Sequence, residues 1–166
     1  MKQVEVYFDY MCPYCYKGHQ NLLKLLPDHP DVEILWKPCE AHPRPEVRDR
    51  YSDVAMMGMF YLRDTSGSVE HYNDLVYDAH FNQHQPIDDP DVLAGIAVQC
   101  GADADAFRLA LADGRYTDEV MQANIRAWGD MEWEAVPSYA CGDKKLGSRG
   151  GVVVSAEALN DFLATC

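Results

Sequence analysis

Several things are scarce or missing in this sequence. No apolar run approaches the roughly 20 residues that a membrane-spanning helix needs. Positive charge is short: 14 Lys and Arg stand against 27 Asp and Glu, a net charge of -13. A chain this acidic is a poor match for nucleic acid or an anionic membrane, so neither is expected as a partner. Internal repeats and low-complexity segments are absent. The start lacks the apolar stretch and small-residue cleavage site of a secretory signal, since Lys2 leads straight into strand-like alternation. The expectation is a native start at Met1 and a cytoplasmic, reducing setting.

What is present suits one domain, or one domain with an insertion: 166 residues, 48% of them hydrophobic. The chain is too large and too rich in core residues to need its six cysteines, at 12, 15, 39, 100, 141 and 166, as a disulfide scaffold. A Cys-x-x-Cys after a strand points instead to redox chemistry or metal. That spacing falls in Val4–Gly18. Val4, Val6 and Phe8 alternate with Glu5, Tyr7 and Asp9, the period of a strand. Pro13 suits a first helical turn, and the leucines at 22, 23, 25 and 26 continue a helix. Cys12 should therefore stand at a helix N-terminus, where free N–H groups and the helix dipole favour a thiolate. Cys15 follows one turn later on the same face, placed to form a disulfide with it.

Further along, Val32–Trp36 reads as a second strand, parallel to the first because a helix crosses between them. Pro38, Pro43 and Pro45 mark a boundary. Helical spacing then occupies segments near 46–62, 68–82, 90–100, 103–113 and 115–128. Asp88 or Asp89 before Pro90, and Asp103, supply caps, and Gly114 a stop. Strand character returns at Val136–Cys141, with Gly142-Asp143 as a turn and Lys144–Leu146 as a return strand. Gly147–Gly151 is a connector, and Ser155 caps a last helix. Neither end completes a sheet alone. The expected fold is α/β, a β-α-β and a β-β-α part sharing one sheet, with residues 1–40 and 130–166 in that domain and an all-helical insertion at 41–129.

Cys12-Pro13-Tyr14-Cys15 after the first strand, and Val136-Pro137 at a late one, resemble the DsbA-like thiol–disulfide oxidoreductases, thioredoxin-fold proteins with an inserted helical domain. Phe8-Asp9 before the cysteines, and Tyr16 and Gly18 after them, look like the cytosolic, FrnE-like branch. Ile87 with Asp91-Val92-Leu93, and Asp105-Ala106-Phe107 with Gly114, stand in the family's order, so the resemblance spans nearly the whole chain. It implies Cys12 as attacking thiol and Cys15 as buried resolving thiol. It implies a cis bond before Pro137, which faces Cys12, and a substrate peptide held at Pro13, Tyr14, Val136 and Pro137. Implied partners are protein or small-thiol disulfides, glutathione among them, with no cofactor. Pro13-Tyr14 is more typical of glutaredoxins than of strongly oxidising members, which carry a histidine there. Ala135 replaces a common glycine, and Cys39 a usually apolar residue.

Other readings stand beside this one. Related folds act on glutathione through a single serine or cysteine, so a glutathione-dependent isomerase or transferase of the kappa or hydroxychromene-carboxylate-isomerase type is the alternative. A second cysteine has no purpose there. Zinc would need two ligands beyond the cysteine pair. His80 and His84 are one turn apart, yet read as polar residues at a helix end, so no metal is expected. Met56, Met57 and Met59 could form a sticky binding groove, but core filling accounts for them. Cys100 and Cys141 read as core, Cys166 as a mobile end, and Trp36, Trp128 and Trp133 as packing residues, Trp133 within reach of the site through Pro137. Cys39 is the extra thiol to watch.

Overall fold

The computed structural model describes all residues, Met1–Cys166. Two compact units divide the chain: Met1–Ala41 with Ile125–Cys166, and His42–Asn124.

The first unit holds a four-stranded sheet ordered β2-β1-β3-β4. Strand β1 (Lys2–Phe8) lies parallel to β2 (Val32–Pro38), in register from Lys2 opposite Val32 to Phe8 opposite Pro38. Helix α1 (Pro13–Leu25) makes the crossover between them, as a parallel pair requires. Pro27 closes it in a single 3-10 turn, Leu26–Asp28. On its other side β1 pairs antiparallel with β3 (Ala135–Cys141), and β3 with β4 (Lys144–Ser148). The last helix, α7 (Ala156–Thr165), starts at Ser155, whose side chain accepts from the Ala158 N–H, and packs against α1.

The alternation in β1 gives way to burial of both faces at its end. Tyr7, expected on the outer face, is as buried as Val6 and Phe8. A central strand has cover on both sides. The cover over Tyr7 is Trp133, ring centroids 5.5 Å apart, while Phe8 meets Trp36 edge-on at 6.0 Å.

The second unit is helical: α2 (Asp53–Asp64), α3 (Val69–Phe81), α4 (Pro90–Gln99), α5 (Ala104–Ala112) and α6 (Thr117–Asn124). Side chains of Ser68, Asp89 and Asp103 accept backbone N–H bonds at the starts of α3, α4 and α5. Gly114, with φ +78°, follows α5 in the left-handed conformation that glycine adopts without strain. Met56 and Met59 are buried core residues.

Two helix expectations need correction. The segment expected at 46–62 becomes helical only at Asp53. Before it, the Tyr51 hydroxyl donates to the Glu46 carbonyl (2.5 Å) and accepts from the Arg48 N–H (3.3 Å), bonds that replace a helical ladder, and Val47 is exposed. The segment expected at 115–128 is regular only to Asn124. Residues Ile125–Asp130 widen into a π-helical turn, inside which the Trp128 indole N–H donates to the Glu40 carbonyl at 2.9 Å.

Candidate active site

Cys12 is the N-cap residue of α1, with extended backbone (φ -89°, ψ 119°) and no side-chain capping bond. The first turn carries no acidic residue, so nothing there opposes an anion at the helix start. The Cys12 thiol is lowered from 9.0 to about 7. The largest cause is the hydrogen bond from Cys15; backbone N–H groups of Cys15 and Tyr14 add to it, against burial and the Asp9 charge.

Cys15 is 1% exposed, and its sulfur accepts from the Asp9 N–H at 3.5 Å. Burial pushes its thiol well above 9.0, and its bond to Cys12 pushes the same way. The two sulfurs are therefore polarised: Cys12 toward thiolate, Cys15 toward a retained proton.

Val136 and Pro137 come to the same place from the far end of the chain. The Val136–Pro137 peptide bond is cis, and the Cys12 thiol lies 3.8 Å from the Val136 carbonyl oxygen. Gly18 permits the approach: a Cβ there would meet Pro137 Cγ and Tyr139 Oη, each at 3.0 Å. Pro13 opens α1 beside Cys12, and Tyr14 projects outward, 59% exposed.

Three supports went unremarked or underread in the sequence. Ser138 and Ser148 are buried, and Ser148 donates to the Pro137 carbonyl at 2.6 Å while its N–H reaches the Ser138 hydroxyl at 3.1 Å. Ser138 in turn donates to the Ala135 carbonyl (2.7 Å), bracing the irregular register between Ala135 and Ser138. Asp9, also buried, accepts from the Met11 and Ala41 N–H groups, both at 2.9 Å, and so ties the cysteine turn to the segment after β2. Serines in a strand carry no sequence signal of this use; Asp9 had a weak one in its place before the cysteines.

Other candidates separate from the site. Cys39 is fully buried and its N–H donates to the Phe8 carbonyl at 2.8 Å; burial first, then the Asp9 charge, hold its thiol well above 9.0. Cys100 is in the core. Cys141 is only half-buried, not core, because it ends β3 where the sheet stops. Cys166 is no loose end: its N–H donates to the Phe162 carbonyl at 3.0 Å. Trp133 packs on Tyr7, with the Lys145 ammonium 4.6 Å above its ring. His80 and His84 gather no further ligands, and no three His, Cys, Asp or Glu side chains cluster as a metal site. No helix is long and apolar enough to cross a membrane.

Comparison with known proteins gives these features a context. The chain is 28% identical to YwbO, an uncharacterized protein of Bacillus subtilis (strain 168), over 193 residues, covering 95% of this chain and 96% of that one. Among solved structures, a probable DsbA oxidoreductase from Streptomyces coelicolor superposes with TM-score 0.80 at 22% identity, over 99% of this chain and 89% of that one. The cytosolic disulfide reductase DsbM from Pseudomonas aeruginosa, determined with glutathione, superposes with TM-score 0.75 at 13% identity, over 98% of both chains. At these identities the structures speak for the fold alone. The family model of the DSBA-like thioredoxin domain matches residues 3–164, and the chain belongs to that family.

Proposed function

We propose that this protein is a thiol–disulfide oxidoreductase whose working pair is Cys12 and Cys15. The observation that carries the reading is the polarised pair: a thiol lowered to about 7 at a helix start, hydrogen-bonded by a second thiol that is buried and keeps its proton. Cys12 thiolate attacks one sulfur of a substrate disulfide, the S–S bond breaks, and a substrate thiolate leaves with the electron pair. Cys15 then loses its proton to the departing thiolates or water and attacks Cys12 Sγ. The second substrate thiolate leaves, and Cys12–Cys15 becomes the disulfide. Two electrons have passed to the substrate; the reverse sequence oxidises a dithiol.

Pro13, Tyr14, Val136 and Pro137 serve in this reading as the substrate-binding rim, with the backbone of Val136 lying along an extended peptide beside the sulfurs. Exposed Tyr14 offers an apolar face at the entrance. Substrates are protein or small-molecule disulfides. Glutathione is proposed as the thiol that reopens the pair, and the cytoplasm as the working compartment; a related structure that is cytosolic and was determined with glutathione supports both. The test is Cys12→Ser in an insulin-reduction assay driven by dithiothreitol or glutathione. Activity should fall to the uncatalysed background, and undiminished activity would overturn the assignment.

A further inference from the structure

We propose that Cys141 and Cys166 form a second dithiol–disulfide couple, separate from Cys12 and Cys15, which a low-molecular-weight disulfide such as glutathione disulfide closes into a clasp between β3 and α7. The end of α7 is moored to the sheet edge where Cys141 lies. Lys144, opposite Cys141 across the β3–β4 turn, donates from Nζ to the Thr165 carbonyl at 2.6 Å. Lys2, at the start of β1, donates to the Leu163 carbonyl at 2.9 Å. Both lysines sit where a helix C-terminus favours cations. This mooring sets Cys166, the residue after Thr165, beside the end of β3, where the two thiols influence each other.

Both thiols are free and half-buried, so a small disulfide can reach them. Cys166 ends the chain, so its side chain and backbone can turn to bring its sulfur to the roughly 2 Å of an S–S bond with Cys141. Burial first, and then the neighbouring Cys166 thiol, hold the Cys141 thiol up, so Cys141 attacks second. Cys166, its proton released to water, attacks one sulfur of glutathione disulfide. That S–S bond breaks, one glutathione thiolate leaves with the electron pair, and a Cys166–glutathione bond forms. Cys141 then gives its proton to water and attacks Cys166 Sγ, expelling the second glutathione. Glutathione disulfide gains two electrons, and the cysteine pair loses two.

The experiment uses the full chain carrying Cys12→Ser and Cys15→Ser, so that the first pair cannot contribute. After incubation with glutathione disulfide, free thiols are alkylated and the protein is mapped by mass spectrometry without reduction. A Cys141–Cys166 cross-linked peptide should dominate, with an upward shift in Tm that dithiothreitol reverses. Both should vanish when Cys166→Ser is added. A lasting glutathione adduct without the cross-link, a cross-link between two chains, or pairing to Cys39 or Cys100 would overturn the proposal. In the chain with Cys12 and Cys15 intact, Cys166→Ser should leave insulin reduction unchanged; its loss would refute the separation of the two couples.

Discussion

Strand β3 has a pair of cysteines at each end, and the two pairs live in opposite surroundings. At its start, Val136 lies against Cys12, which caps the N-terminal end of a helix. At its finish, Cys141 meets Cys166, which caps the C-terminal end of another. A helix N-terminus presents N–H groups and a positive dipole end, whereas a C-terminus presents carbonyls and a negative one. The same functional group is lowered to about 7 in the first place, chiefly by Cys15, and raised to about 11 in the second, by burial and then by Cys166. The neighbouring thiol acts in opposite directions in the two places: the bond from Cys15 is the chief cause of the Cys12 lowering, whereas at Cys141 burial leads and Cys166 adds to it.

The largest consequence is a difference in alkylation rate within one molecule. At neutral pH the thiolate fractions of Cys12 and Cys141 differ by about 10⁴. The more basic thiolate is the better nucleophile, which gives back about 10². Iodoacetamide should therefore modify Cys12 about 10²-fold faster than Cys141 in the reduced protein, followed peptide by peptide in a mass spectrum. The Cys12 rate should rise with pH through a midpoint of about 7. Equal rates would erase the contrast. The lowered thiol also couples to stability, because the folded state favours the thiolate. Its contribution is complete above the ordinary thiol value of 9.0 and disappears as pH falls through about 7. Cys12→Ser should remove that part of the pH dependence of urea unfolding.

Cys15→Ala tests the inner half of the first pair. Cys12 would lose its chief hydrogen bond, so its thiol should move up toward 9.0. The mixed disulfide would also lose its resolving sulfur. Turnover in insulin reduction should drop by about 10² or more, with substrate trapped on Cys12 as a reducible adduct. If turnover survived and glutathione were still essential, the chemistry would be that of a glutathione-dependent isomerase or transferase.

Much of this arrangement was legible in the sequence, for identifiable reasons. Alternation in Val4–Phe8, a proline one residue after Cys12, and leucines at helical spacing place a thiol at a helix start without any coordinates. The caps at Asp89, Asp103 and Ser155 are local chemistry and read correctly. What stayed hidden was set by distant partners. Burial of Tyr7 depends on Trp133, 126 positions away. The hydroxyls of Ser138 and Ser148 acquire meaning only once β3 and β4 pair. The placing of Cys166 near the end of β3 depends on how lysines at 2 and 144 hold α7. The false helical start at residue 46 has a different cause: Val47 is the sole aliphatic residue between 46 and 52 and is exposed, and Tyr51 satisfies the backbone with its side chain instead.

Gly18→Ala asks how finely the first end of β3 is set, and its effect should be the smallest. The added methyl would lie 3.0 Å from both Pro137 Cγ and Tyr139 Oη, closer than carbon atoms ordinarily pack. Pro137 cannot simply retreat, because its carbonyl is held by Ser148 and the strand behind it by Ser138. The adjustment must therefore separate α1 from the loop by a few tenths of an ångström, carrying Cys12 away from Val136. Expected results are a destabilisation of about 1 kcal/mol by urea unfolding and a fall of about threefold to tenfold in insulin-reduction kcat/KM. The Cys12 alkylation midpoint should stay near 7, since Cys15 and the N–H groups that set it move with α1. The second pair, at the other end of the strand, should keep its alkylation rate, because the nearest neighbours of the added methyl are Pro137 and Tyr139, not Cys141 or Cys166. A change at both ends together would mean that β3 transmits strain along its length and that the two thiol environments are not independent.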